Sequence, residues 1–276
     1  LHVRRQREKE GLVLLEGHRL VLDALGAGLD PEFVVLHEDA LAASAPLSSC
    51  ASKQEKPLTL VYFSVRAMAE CPRMILEYGN IAYEDVGPTT WFGVGWKDAK
   101  KLTPFNQLPL LYVQGHDAPI AQMGAIARYC ASLVPGLVPS DPLERARCDM
   151  IFESAREFDT NNPIVNVYRG EQFEAKKAEN WKWVPTKVAN LAAQLENRRF
   201  FCGGSVRFCD FMVYHALSNA RTLEPTVLDA HPNLLRFMKT VEALPGVGAY
   251  IKERPTPVDI GVKPMLEPNV AGLRAR

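Results

Sequence analysis

The stretch 58-LTLVYFSVRAMAECPRMILEYGNIAYEDV-86 constrains this chain more than any other. Leu58, Leu60, Val61, Tyr62 and Phe63 are apolar or β-prone and predict a short strand. After a polar turn comes a helical run with Ala67, Met74, Ile75 and Leu76, which Gly79-Asn80 stops. A second strand is expected from Ile81. Strand, crossover helix and strand in so short a span make a βαβ unit, almost always right-handed. Tyr62 stands at the carboxyl end of the first strand, the edge where α/β sheets bind ligands.

The following residues extend this unit. Gly87–Leu102 is irregular, with Trp91 and Trp96 expected to be exposed beside Lys97, Lys100 and Lys101. Leu108–Val113 reads as a strand, Gly115-His116-Asp117 as a tight hairpin turn and Ala118–Ala121 as its partner. A helix with Ile126, Tyr129 and Leu133 on one face follows. The order βαβ then ββα over residues 58–135 is a thioredoxin-like α/β layout.

From Asp141 onward strand signals vanish, and residues 141–255 read as an all-α helical domain with a tail at 256–276. Asp141-Pro142 opens a helix with proline at the first helical position. Phe152, Ala155 and Phe158 follow at helical spacing, and Glu171–Asn197 reads as one long helix carrying Trp181, Val184, Val188, Leu191 and Leu195. Another helix spans Phe208–Leu223. Val206 and Phe211 are spaced as a hydrophobic staple, with Asp210 at the third helical position. Arg207 is a poor N-cap, so the capping box is expected to be incomplete. His231-Pro232 starts a helix through Leu244, and Pro245 a last short one.

Ahead of this body lies a small α/β appendage, residues 1–39, joined by an Ala/Ser/Pro/Lys-rich linker at 40–57. Its pattern "GLVLLEGHRLVLDAL" after Arg4, Arg5, Arg7 and Lys9 resembles the start of the substrate-binding domain of SpoU-type RNA ribose methyltransferases. Nothing later resembles that family's knotted S-adenosylmethionine-binding domain, so methyl transfer is not expected. The appendage is read as an appended or truncated piece. RNA contact through its arginines is the minor alternative, diluted by Glu8, Glu10 and Glu16.

Charge and cysteine usage narrow the partners. Thirty-two basic residues balance 32 acidic ones, which disfavours nucleic acid or an anionic membrane as partner. The six cysteines are scattered with no Cys-x-x-Cys pair, which argues against a zinc site or redox dithiol, and no metal is expected. That usage suits a reducing compartment, taken as the cytoplasm. No apolar run reaches the roughly 18 residues that span a bilayer.

A thioredoxin-like domain followed by helices narrows the families, and five segments make the match specific. "LVYFSVRAMAE" at 60–70, "TPFNQLPLL" at 103–111, "IARY" at 126–129, "GGSVRFCDF" at 203–211 and "LPGVGAYIKERP" at 244–255 stand in register. Together they resemble the cytosolic glutathione transferases, nearest the sigma-like class. The resemblance implies glutathione as co-substrate, an electrophilic, apolar second substrate and a homodimer. It makes Tyr62 the catalytic residue: a phenolic hydroxyl at the sulfur stabilises the thiolate and lowers a thiol pKa otherwise near 8.5. It implies a cis Pro109, with Leu108 offering backbone hydrogen bonds and Gln107 close by. Gln122 and Met123 then open a helix whose N-terminus takes the γ-glutamyl carboxylate. Trp96 and Lys100 would hold the glycyl end, and Glu157 would reach the ligand of the second subunit. The electrophile would lie against the turn from Val65 to Met68, while Cys71 packs as a small apolar residue.

Two departures stand out. Met68 replaces an arginine common in sigma-like members, and Met123 replaces the usual serine. A lost hydrogen bond to a charged group costs about 1.5–3 kcal/mol, or about one to two decades in affinity. They motivate an alternative, a glutathione-binding or crystallin-like structural relative with little activity. A third reading is an RNA-associated adaptor acting through residues 1–39.

Overall fold

The computed structural model describes residues 57–266, and the expectations for the appendage, most of the linker and the last ten residues lie outside them. The chain enters at β1 (Leu58–Val61) and passes through a 3-10 turn (Ala67–Ala69) into α1 (Glu70–Tyr78) and β2 (Glu84–Val86). Short helices α2 (Pro88–Phe92) and α3 (Trp96–Ala99) lead to β3 (Leu110–Val113), β4 (Ile120–Ala121) and α4 (Met123–Ser132). The sheet order is β2-β1-β3-β4, with β1 parallel to β2 and antiparallel to β3, and β4 antiparallel to β3. This is the expected thioredoxin-like arrangement.

The second strand begins later than the sequence suggests. Ile81 is tied back to α1, its N–H donating to Leu76 O at 2.9 Å, and pairing with β1 starts at Glu84. Asn80 at φ 49 turns the chain out of the helix, so Ile81 completes the cap instead of the sheet.

The helical layer comprises α5 (Pro142–Phe158), α6 (Asn161–Asn166), α7 (Gly170–Trp181), α8 (Val184–Leu195), α9 (Phe208–Leu223), α10 (Pro232–Glu242) and α11 (Val247–Glu253). The long helix expected over 171–197 is two helices. Pro185 lacks the N–H that would bond back to Trp181 and crowds that carbonyl, and such a residue sits comfortably only in a first turn. A two-residue ribbon, β5 (Pro257–Val258) with β6 (Met265–Leu266), closes the described chain where only a tail was expected.

α9 is the spine. Only Ser218, Arg221 and Thr222 escape burial along its 16 residues, as befits a helix apolar nearly all round. Its N-terminus is fastened by Asp210, whose carboxylate accepts the Arg207 N–H at 2.7 Å and the Phe201 N–H at 3.0 Å. Val206 and Phe211, the expected staple, are both buried. The Arg207 side chain leaves the cap and donates to Gly136 O, so the Asp210 half of the box carries the cap.

Leu60, Met74 and Ile126 belong to the same buried cluster as Phe152, Phe211 and Leu234, so both layers share one core. A charged clasp also joins them. Glu70, fully buried at the start of α1, accepts from Arg254 and from Tyr250 Oη at 3.0 Å, with Arg73 3.5 Å away. Burial alone would raise this carboxyl, but the Arg254 and Arg73 charges outweigh it and hold it at about 2. Close approach explains Gly246, at φ 73: a Cβ there would collide with the Glu77 carbonyl at the end of α1.

Candidate active site

Tyr62 follows β1 directly, and its N–H extends the parallel ladder to Val86 O at 3.0 Å. Its side chain is 9% exposed. The Met68 N–H donates to Tyr62 Oη at 3.4 Å, which leaves the phenolic proton available to a further acceptor. Burial raises the phenol above its ordinary value, only partly offset by the Met68 N–H and the Arg73 charge. Tyr62 is therefore a neutral hydrogen-bond donor near neutral pH, as thiolate stabilisation requires.

The turn that presents the Met68 N–H is held by a residue the sequence reading passed over. Arg73 donates to Val65 O at 2.8 Å and Arg66 O at 3.3 Å, and forks onto Asp85 at 2.6 and 3.2 Å. An arginine among the apolar residues of α1 was the available signal. Val65 is held through its backbone and packs partly buried against the core, whereas Met68 is 47% exposed.

Other expected residues fall around the same sheet edge. Leu108-Pro109 is a cis peptide just before β3. Gln122 caps α4 with φ 71 and ψ 120, a backbone state that L residues rarely hold and that costs on the order of 1–3 kcal/mol. Its Nε2 donates to Gln107 Oε1 at 3.0 Å, so these two meet. Met123, at the first position of α4, is buried. Trp96 meets Phe63 edge-on at 5.4 Å, and Phe63 meets Tyr62 at 5.7 Å, an aromatic chain running from the candidate catalytic residue. Trp91 lies against Tyr112 at 4.6 Å, so both tryptophans expected to be exposed are half-buried. Lys100 is exposed, its carbonyl accepting from Thr103.

A small cleft between the two layers is lined by Ala67, Met68, Cys71, Met123, Arg156, Asp159, Met212 and His215. Met68 thus joins the helical layer there as expected, whereas Val65 is absent from the lining. Glu157 is exposed at the end of α5, its carbonyl accepting from Lys187 Nζ at 3.0 Å, and it too is absent. Its neighbours Arg156 and Asp159 line the cleft, one face of the helix away. Cys71 is buried, and burial raises its thiol well above the ordinary range, so it packs as an inert apolar group. In the cleft wall, Asp159 accepts from Asn219 at 2.8 Å and Asn162 at 3.1 Å, with His215 Nε2 3.5 Å away. Burial lowers His215 and raises Asp159.

Residues 158–254 match the model of the glutathione S-transferase C-terminal domain. Over 203 residues the chain is 34% identical to glutathione S-transferase Mu 1 of Oryctolagus cuniculus, covering 71% of this chain and 91% of that protein. The chain belongs to the glutathione S-transferase family. A class-mu 26 kDa isozyme of the fluke Fasciola hepatica is 35% identical over 201 residues, covering 71% and 87%. Among solved structures, the glutathione S-transferase from Ascaris lumbricoides aligns with TM-score 0.62 at 28% identity, covering 72% of this chain and 98% of that one. Rat hPGDS complexed with a quinoline aligns equally well, at 26% identity. Residues 1–72 match a different model, the MRM3-like substrate binding domain, in line with the RNA methyltransferase resemblance of the appendage.

Proposed function

We propose that this transferase binds glutathione along the edge formed by Gln107, Leu108, Pro109, Gln122 and Met123, and forms its thiolate at Tyr62. The observation that carries this is the phenol itself: buried, kept protonated, and fixed by the Met68 N–H at the carboxyl end of β1. The thiol gives up its proton to solvent, and the resulting sulfur anion accepts the Tyr62 O–H. It then attacks an electrophilic carbon at the adjoining cleft, where Met68, Met123 and Met212 offer an adaptable apolar lining, and displaces a leaving group such as chloride to solvent. Trp96 and Lys100 hold the glycyl end.

The sigma-like subdivision is a finer reading, and relatives with Mu-class names over 71% of the chain favour a Mu-like placement instead. A homodimer belongs to this proposal, with exposed Glu157 reaching the partner's ligand. So does a cytoplasmic location; no helix among the described residues is long and apolar enough to cross a membrane.

The test is conjugation of glutathione to chlorodinitrobenzene by the intact chain and by Tyr62→Phe. Loss of one donor to a held anion lowers kcat/KM about 10²-fold. Glutathione binding with equal inertness of both proteins overturns the catalytic reading in favour of a binding protein.

A further inference from the structure

The cysteines look unrelated in sequence, yet the fold gathers three of them away from the Tyr62 cleft. Cys148 lies midway along α5, Cys209 in the first turn of α9, and Cys202 in the turn that precedes it. Their sulfurs all lie within 4.8 Å of one another, with Cys202 Sγ and Cys209 Sγ 3.7 Å apart. Cys148 and Cys209 are fully buried, while Cys202 is partly open.

We propose that Cys148, Cys202 and Cys209 form a thiolate site for a soft d10 divalent cation of the zinc type, with solvent as the fourth ligand.

The spacing carries the argument. A tetrahedral ion with zinc–sulfur bonds of about 2.3 Å needs its sulfurs about 3.8 Å apart, close to the Cys202–Cys209 distance. The third sulfur comes from α5, the helix packed most extensively on α9, so two of the three corners stand on packed helices. Thiolates select soft ions over calcium or magnesium. Cys202 is the one ligand of the three that solvent reaches, which is where a water ligand can enter.

Charge is accommodated as well. Three thiolates and a divalent ion leave one net negative charge. Arg198, Arg199 and Arg207 flank Cys202 in sequence and bring positive charge to that side of the site. Asp210 is nearby, but its carboxylate is committed to the Phe201 and Arg207 N–H groups. Binding exchanges thiol protons for metal–sulfur bonds, releasing those protons to the buffer with no change of oxidation state. The absence of a Cys-x-x-Cys pair spoke against such a site because it measured spacing along the chain alone. The inference does not depend on the chemistry at Tyr62.

The experiment titrates the full chain, reduced with a phosphine and free of glutathione, with Co²⁺ and then Zn²⁺. One equivalent of Co²⁺ should give a near-ultraviolet thiolate charge-transfer band that Zn²⁺ abolishes. Cys202→Ser, at the partly open position, should remove the band, and Cys130→Ser should keep it. Cys148→Ser should weaken binding by more than the roughly 10–100-fold that an outer-shell partner is worth. In the unsubstituted chain, one equivalent of Zn²⁺ should slow alkylation of Cys202 by iodoacetamide, read by peptide mass spectrometry. No band, a band that survives in Cys202→Ser, or Cys202 alkylation unaffected by Zn²⁺ overturns the proposal.

Discussion

The phenol of Tyr62 is governed by opposing effects. Burial favours its neutral form, while the Met68 N–H and Arg73 favour the anion, and burial prevails. A tyrosine pushed above about 10 keeps its proton throughout the neutral range, so the pH profile of conjugation reports the bound thiol and not the phenol. At saturating glutathione, kcat/KM for the electrophile should rise with pH and level off below about 8.5 in the intact protein; in Tyr62→Phe the same rise should move toward that free-thiol value. Steady-state kinetics between pH 5.5 and 9 distinguish the two. At Met123, the sequence predicts a missing hydroxyl at the head of α4. Met123→Ser should lower the KM for glutathione about tenfold with kcat little changed, one hydrogen bond to a carboxylate being worth about 1.5–3 kcal/mol. Because Met123 is buried, the same change should lower the thermal midpoint, as removal of core volume does.

Among the elements, the α9 cap is the most exposed to a single change. Asp210 satisfies two backbone donors from a buried position, so Asp210→Ala should cost about 2 kcal/mol, measured by urea denaturation. The elements themselves were largely readable, because strands and helices write their periods into the order of apolar residues. α1, α4 and α9 fall where Met74–Leu76, Ile126 and Phe211 placed them, while the strands expected to run through Phe63 and over Leu108–Val113 are shorter, ending at Val61 and starting at Leu110. Ile81 misled because an apolar residue after a helix stop suits a strand start and a cap contact equally well. The break between α7 and α8 was signalled by Pro185 but masked by the continuing spacing of Val184, Val188 and Leu191. Of the positions near Tyr62 in sequence, Met68 lines the cleft as expected and Val65 does not. Arg156, Asp159 and His215 were not, because only the packing of α5 and α9 against α1 brings them to the cleft.

On the scale of the molecule, the clasp of Glu70, Arg254, Arg73 and Tyr250 ties the thioredoxin-like layer to the short last helix, α11, and the residue that ends it. Glu70 is held at about 2 when folded, against about 4.3 in an unfolded chain. A depressed carboxyl contributes stability that is complete above its unfolded pKa and fades as pH falls through the folded one. Unfolding monitored by circular dichroism should therefore show a loss of stability between about pH 5 and pH 2, and Glu70→Gln should flatten that slope. Arg254→Met leaves a buried carboxylate short of its main partner, at a cost of about 3–5 kcal/mol. For a chain of this size that lowers the thermal midpoint by roughly 6–20 °C, which calorimetry would record.

The clasp also sets an order for birth on the ribosome. Chains emerge from their N-terminus, and domains usually fold as they appear. Here β1 and α1 leave the tunnel long before the main guanidinium partner of Glu70, which lies 184 residues further along the chain. Until Arg254 emerges, closing the core over Glu70 would leave that carboxylate with Arg73 alone, so full docking of the first helix gains its main charge partner only then. Closure of this core is thereby tied to a side chain made 184 residues after the one it pairs with.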